Sequence, residues 1–506
     1  MSDRKNHTPQ PRSTARQLKE CAIAIFVGCL LALTVHQFFG EEFATRQQAR
    51  IYAPAAGEVY GEGARDQVRV LLIDDAALAA AGQEWPARYS YSARLLRALT
   101  AYEPKAVFFD IHYSARRDDP SLAAFTEQLC ATRQAGIPLF LAAVRDRDDR
   151  YPLRPELDAL DGRCLGKVAV RYAPDEVDRV AWSYPLAAAM PAGGAAALPP
   201  AAVALAGVAG VHPHDAAEPM ALVWGNRAAA HGVGWADAHG ERYCRPAHGW
   251  GELVPRGIRQ AWFHDAEKPV CVYSETIRAG ELLATSGEEH ARLMRELKGK
   301  IVLVGLALSD SNDLVLSPIH GRVPGVYLHA MALDNLLAFH GDVPHDGHFS
   351  LDLHHWKPLA YLMLALVLVT LTPKLLKDRL LARHPDHWIG HPVEYLCARW
   401  LRLPPLLGLR LNRAAVYIAL CALQLVLSLV LGCAMLLFGQ YVLGLGVLSI
   451  VGVIFMTAVA EWTEFNETLT EHLLPEEDEE DAGSAAPAAE AHQEKENHHE
   501  HPTPVA

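Results

Sequence analysis

Carboxylates close several apolar runs of this 506-residue chain. Asp74 and Asp75 end VRVLLIDD, Asp110 ends KAVFFD, and Asp313 follows KIVLVGLA by a few polar residues. Acids brought together on one edge hold a cation or accept hydrogen bonds from a hydroxylated or amine-bearing ligand. Taken singly, each has a plainer task, capping the helix or turn that follows it. A second group runs through FHGDVPHDGHFSLDLHHW, where His345, His348, His354 and His355 stand among Asp342, Asp346 and Asp352. Imidazoles near carboxylates bind Zn²⁺ or Cu²⁺ and titrate near neutrality. A solvated linker beside a membrane accounts for the same residues more simply. Ser309, Ser311, Asp313 and His329 invite a hydrolase reading, but no G-x-S-x-G turn presents either serine, and His329 falls on a helix where packing suffices. The expectation is therefore no enzymatic activity and no cofactor.

The elements that position the acids alternate in type. VRVLLID, KAVFFD, IPLFLAAV and KIVLVGLA are mainly apolar runs, Arg69 being the charged exception inside the first, each the length of a buried strand. SARLLRALTAY, SLAAFTEQLCATRQAG and VYLHAMALDNLLA read as helices, the second capped by Gly136. The fold class is α/β, a mainly parallel sheet with helices on both faces. In such sheets ligands bind beyond the carboxyl ends of the strands, where Asp74 or Asp75, Asp110 and Asp313 fall.

Apolar residues also gather in four longer stretches, each close to the roughly 20 residues a transmembrane helix needs. They divide the chain into a short N-terminal segment (1–20), a first span (21–39), an exterior domain (40–356), a second span (357–373), a basic segment (374–413), third and fourth spans (414–438 and 441–460), and an acidic tail (461–506). Gly439 and Gln440 are expected to turn the last two spans into a tight hairpin. Lys and Arg are concentrated before the first span and between the second and third, which places those segments in the cytoplasm and residues 40–356 outside. The formal charge of −13 resides in the tail, and the remainder carries 45 basic and 45 acidic side chains. Without a basic stripe, nucleic acid is not an expected partner; the lipid bilayer is.

Cys130, Cys164, Cys244 and Cys271 fall in the exterior domain, an even set suited to two disulfides in an oxidising compartment. Three pairings are possible, and proximity in sequence favours Cys130–Cys164 with Cys244–Cys271.

The stretch from Val68 to Ser114 resembles the opening of a CHASE2 domain, the extracytoplasmic sensor module of bacterial receptors. The resemblance rests on a strand ending in Asp74 and Asp75, on Trp85–Pro86 followed by Arg88, and on a strand ending in Phe109–Asp110. The strand GKIVLVG, then Asp313, Pro318 and VPGVYLHAMALDNLL, is similar to the family's closing signature. Residues 145–260, rich in Ala and Pro, carry little of it. The resemblance implies one span before the sensor and three after it, in a multi-pass protein of the bacterial inner membrane with both termini cytoplasmic. It further implies a periplasmic small-molecule or protein ligand, with Trp85 as stacking surface and Arg88 as charge beside the acids, and a homodimer. Family members usually continue into a cytoplasmic enzyme. The acidic tail contains no kinase loop and no cyclase motif, so a separate output protein is expected. The competing class is an envelope scaffold whose exterior domain binds another protein.

Overall fold

The computed structural model describes residues 41–190, 197–229, 270–283, 286–309, 313–345 and 405–444, with Cys244, Glu252 and scattered positions between 361 and 379. At its centre lies a six-stranded, wholly parallel sheet. The strands are β1 (Val68–Asp74), β2 (Ala106–Phe109), β3 (Leu139–Ala143), β4 (Gly166–Ala169), β7 (Thr276–Arg278) and β8 (Ile301–Ala307), in the order β4-β3-β2-β8-β1-β7. Two two-stranded pairs complete the strands: β5 (Ser183–Tyr184) with β6 (Met220–Ala221), and β9 (Leu314–Ser317) with β10 (Gly321–Pro324).

The apolar runs are explained by the layers. Side chains along a strand alternate between faces, so a strand covered on both sides is apolar at nearly every position. The exception in β1, Arg69, is buried with its guanidinium donating to the carbonyls of Arg65, Asp66 and Val68. Val68, Val70 and Leu72 enter one core, as do Phe108 and Leu303; Leu71, Ile73, Phe109, Val302 and Val304 enter the other. On the second face lie α2 (Asp75–Ala80), α3 (Tyr89–Ala101), α4 (Leu122–Gln134), α7 (Ala279–Leu283) and α8 (Gly287–Leu297), with a short α5 (Pro155–Asp158) supplying Leu157. Gly136 takes φ +84 just beyond α4, as a helix-ending glycine does.

On the first face lie α1 (Glu41–Tyr60), α6 (Ala201–Val208) and α9 (Val326–Ala338). In α9 every residue from Val326 to Leu337 is buried, including His329, Asp334 and Asn335. The helix starts directly over β8, where a Cβ on Gly305 would stand 2.4 Å from Val326. Glycine at 305 therefore sets how closely helix and sheet approach.

The sequence reading misses α1 and the β9–β10 hairpin. It also misplaces a turn. Helix α10 (Pro405–Leu443) runs unbroken through Gly439 and Gln440 and ends at Gly444, φ +65. Both expected turn residues serve packing instead. Tyr361 lies where a Cβ on Gly439 would be 3.0 Å away, and Gln440 is buried against Tyr52, whose hydroxyl it accepts. Among the described residues one stretch, Ala422–Leu443, is long and apolar enough to cross a membrane. The expected first span, and the fourth beyond Gly444, lie outside the described residues. Of the second, the described positions between 361 and 373 are helical, and Ser428 of α10 donates to the Val369 carbonyl at 3.1 Å.

The sheet domain meets α10 at that helix's C-terminal end. The Tyr441 hydroxyl donates to the Ala56 carbonyl at 2.6 Å, and its ring centroid lies 6.0 Å from that of Phe339, which follows α9. The His345 amide donates to the Gly444 carbonyl at 3.1 Å.

Candidate functional site

Strand order reverses around β8 and β1, and there the carboxyl ends of β1, β2 and β8 open side by side. Asp110 is the first residue past β2, held by its amide, which donates to the Val304 carbonyl of β8 at 2.8 Å. Its side chain is only 9% exposed. Burial pushes its carboxyl up to about 7. Nε2 of His329 lies 3.8 Å from Oδ1, too far for a hydrogen bond.

His329 is 3% exposed and sits edge-on to the rings of Phe108 and Tyr184. Burial pushes it down to about 4, with the Asp313 charge opposing, so the ring is neutral at pH 7 and no ion pair with Asp110 forms. Its Nδ1 lies 2.8 Å from the Tyr184 hydroxyl. That hydroxyl also accepts the Ala202 amide at 3.2 Å, one of the first-turn amides of α6 that lack a partner within their own helix. The phenolic proton has no other acceptor among the described residues and goes to Nδ1. A neutral imidazole accepting at Nδ1 carries its proton on Nε2, so an N–H faces Asp110.

Asp313 stands at the mouth. The residue is solvent-exposed, yet its carboxyl folds in over the start of α9, where a Cβ on Gly325 would be 2.5 Å from Oδ1. Desolvation and then the charge of Asp110 push it up to about 6, while His329 pulls the other way. The outward edge accounts for the exposure and the inward oxygen for the shift; the inward oxygen decides the chemistry. Tyr172 is half-buried, and its phenol is raised by burial and by the Asp313 charge.

The other acids do plainer work. Asp74 caps α2, accepting the Ala77 amide at 2.8 Å, and lies 3.7 Å from Arg278. Asp75 accepts both the amide and the hydroxyl of Ser309 at 2.9 Å, tying the exit of β8 to α2. Trp85, before a cis peptide to Pro86, is 42% exposed, and Arg88 is exposed at the start of α3. Neither makes a hydrogen bond or ion pair with Asp110 or Asp313 among the described residues. The structure thus brings together Asp110 and Asp313 and adds His329 and Tyr184. Tyr184 lies 145 residues from His329 and carries no local signal.

Further along α9, Asp334 receives the hydroxyl of Tyr60, the Ala64 amide at 3.2 Å and the Tyr273 hydroxyl at 3.4 Å, while burial pushes it up to about 7. Asn335 pairs with both the amide and the carbonyl of Val223. One helix therefore carries buried polar contacts to α1, β5 and the segment after β6.

Among the described residues no group of three metal-ligating side chains is assembled. Of the histidine set only His345 is described; His348, His354 and His355 lie outside the described residues. The structure joins Cys130 to Cys164 and Cys244 to Cys271. A cavity of about 30 Å³ lies away from the acids, between α1, Trp182, Trp224 and Gln440, with room for little more than a water molecule.

A family model described as CHASE2 domain matches residues 22–372, most of the chain. No curated protein and no solved structure matches it.

Proposed function

The chain belongs to the CHASE2 family of sensor-type extracytoplasmic domains, and from that premise we propose that it is a multi-pass membrane receptor. Its sheet domain lies on the periplasmic side of a bacterial inner membrane and binds a ligand at Asp110 and Asp313. Binding favours one packing of α9, and that preference passes into the spans. Output comes from a separate partner protein.

The observation that carries this reading is the reach of α9. Its second turn holds His329 beside Asp110, and the residue after its last turn, Phe339, packs on Tyr441 at the end of α10. The same end of α10 bonds α1. The basic segment precedes the opposite end of that helix, which agrees with an exterior sheet domain.

The test is hydrogen exchange of the full chain in nanodiscs, comparing the parent with Asp110→Asn/Asp313→Asn. Coupling predicts changed amide protection in the last turns of α10. If protection there stays the same while it changes around β2 and β9, the ends of α9 are not linked and the receptor reading fails.

A further inference from the structure

We propose that the strand-end edge carrying Asp110, Asp313 and His329 binds a small ligand through a protonated amine. The proposal rests on the receptor reading and supplies the ligand's chemical class.

The carboxyl group of Asp110 is an acceptor without a donor. Its side chain is 9% exposed, it accepts no hydrogen bond among the described residues, and the Nε2–H of His329 stands off at 3.8 Å. The Asp110 amide, by contrast, is bonded, donating to the Val304 carbonyl. Burying a carboxylate without donors costs free energy that a bound cation recovers. A second carboxyl, that of Asp313, is close enough for the two acids to feel each other's charge, and it sits at the open side.

Three arrangements of charge are conceivable for a pair of acids, and the imidazole separates them. A metal ion would want the lone pair of His329 Nε2. Tyr184 opposes that, because as the donor to Nδ1 it leaves the proton on Nε2. A neutral polyol would leave the repulsion between the two acids unrelieved. An ammonium group has several N–H donors to divide between two carboxylates, and a neighbouring oxygen on the ligand would accept from Nε2–H. The titratable groups gathered at this edge are Asp110 past β2, Asp313 before β9, His329 on α9, Tyr184 on β5 and Tyr172 after β4. At pH 7 Asp313 is largely ionised and Asp110, raised to about 7, still holds a proton about half the time; the amine must displace that proton, so binding strengthens as pH rises.

The experiment uses the full chain in nanodiscs with ethanolamine as probe, and with N-acetylethanolamine, which keeps the hydroxyl and loses the charge. Ethanolamine raises the melting temperature at millimolar concentration, and its apparent affinity increases about tenfold between pH 6 and pH 8. N-acetylethanolamine gives no shift. Asp110→Asn abolishes the ethanolamine shift; Asp313→Asn, a surface change that leaves the core intact, weakens it at least about tenfold. A shift that survives both variants, an equal shift from N-acetylethanolamine, no ethanolamine shift at any pH, or a response to zinc chloride alone overturns the amine assignment. These results leave the receptor reading to the exchange experiment. Ethanolamine binding without any change in α10 protection keeps the amine site and removes the receptor reading.

Discussion

At Asp110 the cost of burying an acid becomes a pH dependence. Burial pushes Asp110 and Asp334 up to about 7 and Asp313 up to about 6, against about 3.9 for Asp in an unfolded chain. Within that window the folded state holds more protons, so these groups stabilise the fold fully below about pH 4, and the contribution is lost as pH rises through 6 to 7. His329, pushed down to about 4, works in the opposite direction, its contribution lost as pH falls from about 6.5 through 4. Three acids against one imidazole leave a net gain on acidification. The melting temperature of the full chain should therefore rise from about pH 8 to about pH 5.5, and Asp110→Asn should flatten that rise and stabilise the protein at about pH 8 by about 1–3 kcal/mol. A variant that tracks pH as steeply as the parent would assign the effect to other groups. Tyr184→Phe tests the imidazole's orientation. It strips the buried Ala202 amide of its acceptor and His329 of its donor, a loss of about 1–3 kcal/mol in chemical denaturation, whereas a cost near zero would mean water replaces the hydroxyl. None of this was legible in the local pattern around His329, because its partners come from β2 and β5.

Helix α9 shows how far elements can be read from a sequence and where the reading ends. Its boundaries, Val326 to Ala338, follow from one apolar run, and β1, β2, β3 and β8 follow from theirs. Strands of a doubly covered parallel sheet announce themselves because nearly every position is apolar, Arg69 in β1 being the exception. Helix α1 does not, since its polar residues are satisfied only at a distance. Arg46 pairs with Asp175 at 2.5 Å and Arg50 with Asp178 at 3.0 Å, so the segment looks solvent-facing until the fold is known. The two-residue strands β5 and β6 are too short for any period to register. The hairpin read at Gly439–Gln440 failed for a related reason, as small and polar residues mark close packing as readily as a turn. Two substitutions probe α9 as a rod. Gly305→Ala drives a methyl into Val326, so α9 or β8 must shift; the expected loss is about 1–3 kcal/mol with altered exchange along α9, and normal stability would mean the contact is soft. Tyr441→Phe keeps the ring against Phe339 and removes the bond to Ala56, which costs about 1 kcal/mol and loosens α1 from α10 in the same exchange measurement.

For the whole molecule, compartment and covalent chemistry must agree. Cys130–Cys164 and Cys244–Cys271 close loops of 34 and 27 residues in sequence separation. Disulfides on this scale stabilise a domain by about 2–4 kcal/mol, mainly by restricting the unfolded chain, and they persist only where the surroundings are oxidising. An exterior sheet domain keeps them, whereas a cytoplasmic one would present four thiols. Cys433, by contrast, lies within the apolar stretch of α10 and is a free thiol. The topology and the disulfides can be read from one labelling experiment. Met190 is 74% exposed, so Met190→Cys offers a thiol on the sheet domain, and Ser484→Cys offers one in the acidic tail. With a membrane-impermeant maleimide on intact cells, Met190→Cys reacts at once and Ser484→Cys reacts only after lysis. In the denatured but unreduced parent, Cys130, Cys164, Cys244 and Cys271 resist alkylation while Cys433 is modified. Equal labelling of both introduced thiols, or alkylation of all four exterior cysteines before reduction, would put the sheet domain and the tail in one reducing compartment. The strand-end edge at Asp110 would then face the cell interior, and the carboxylates could not read anything outside it.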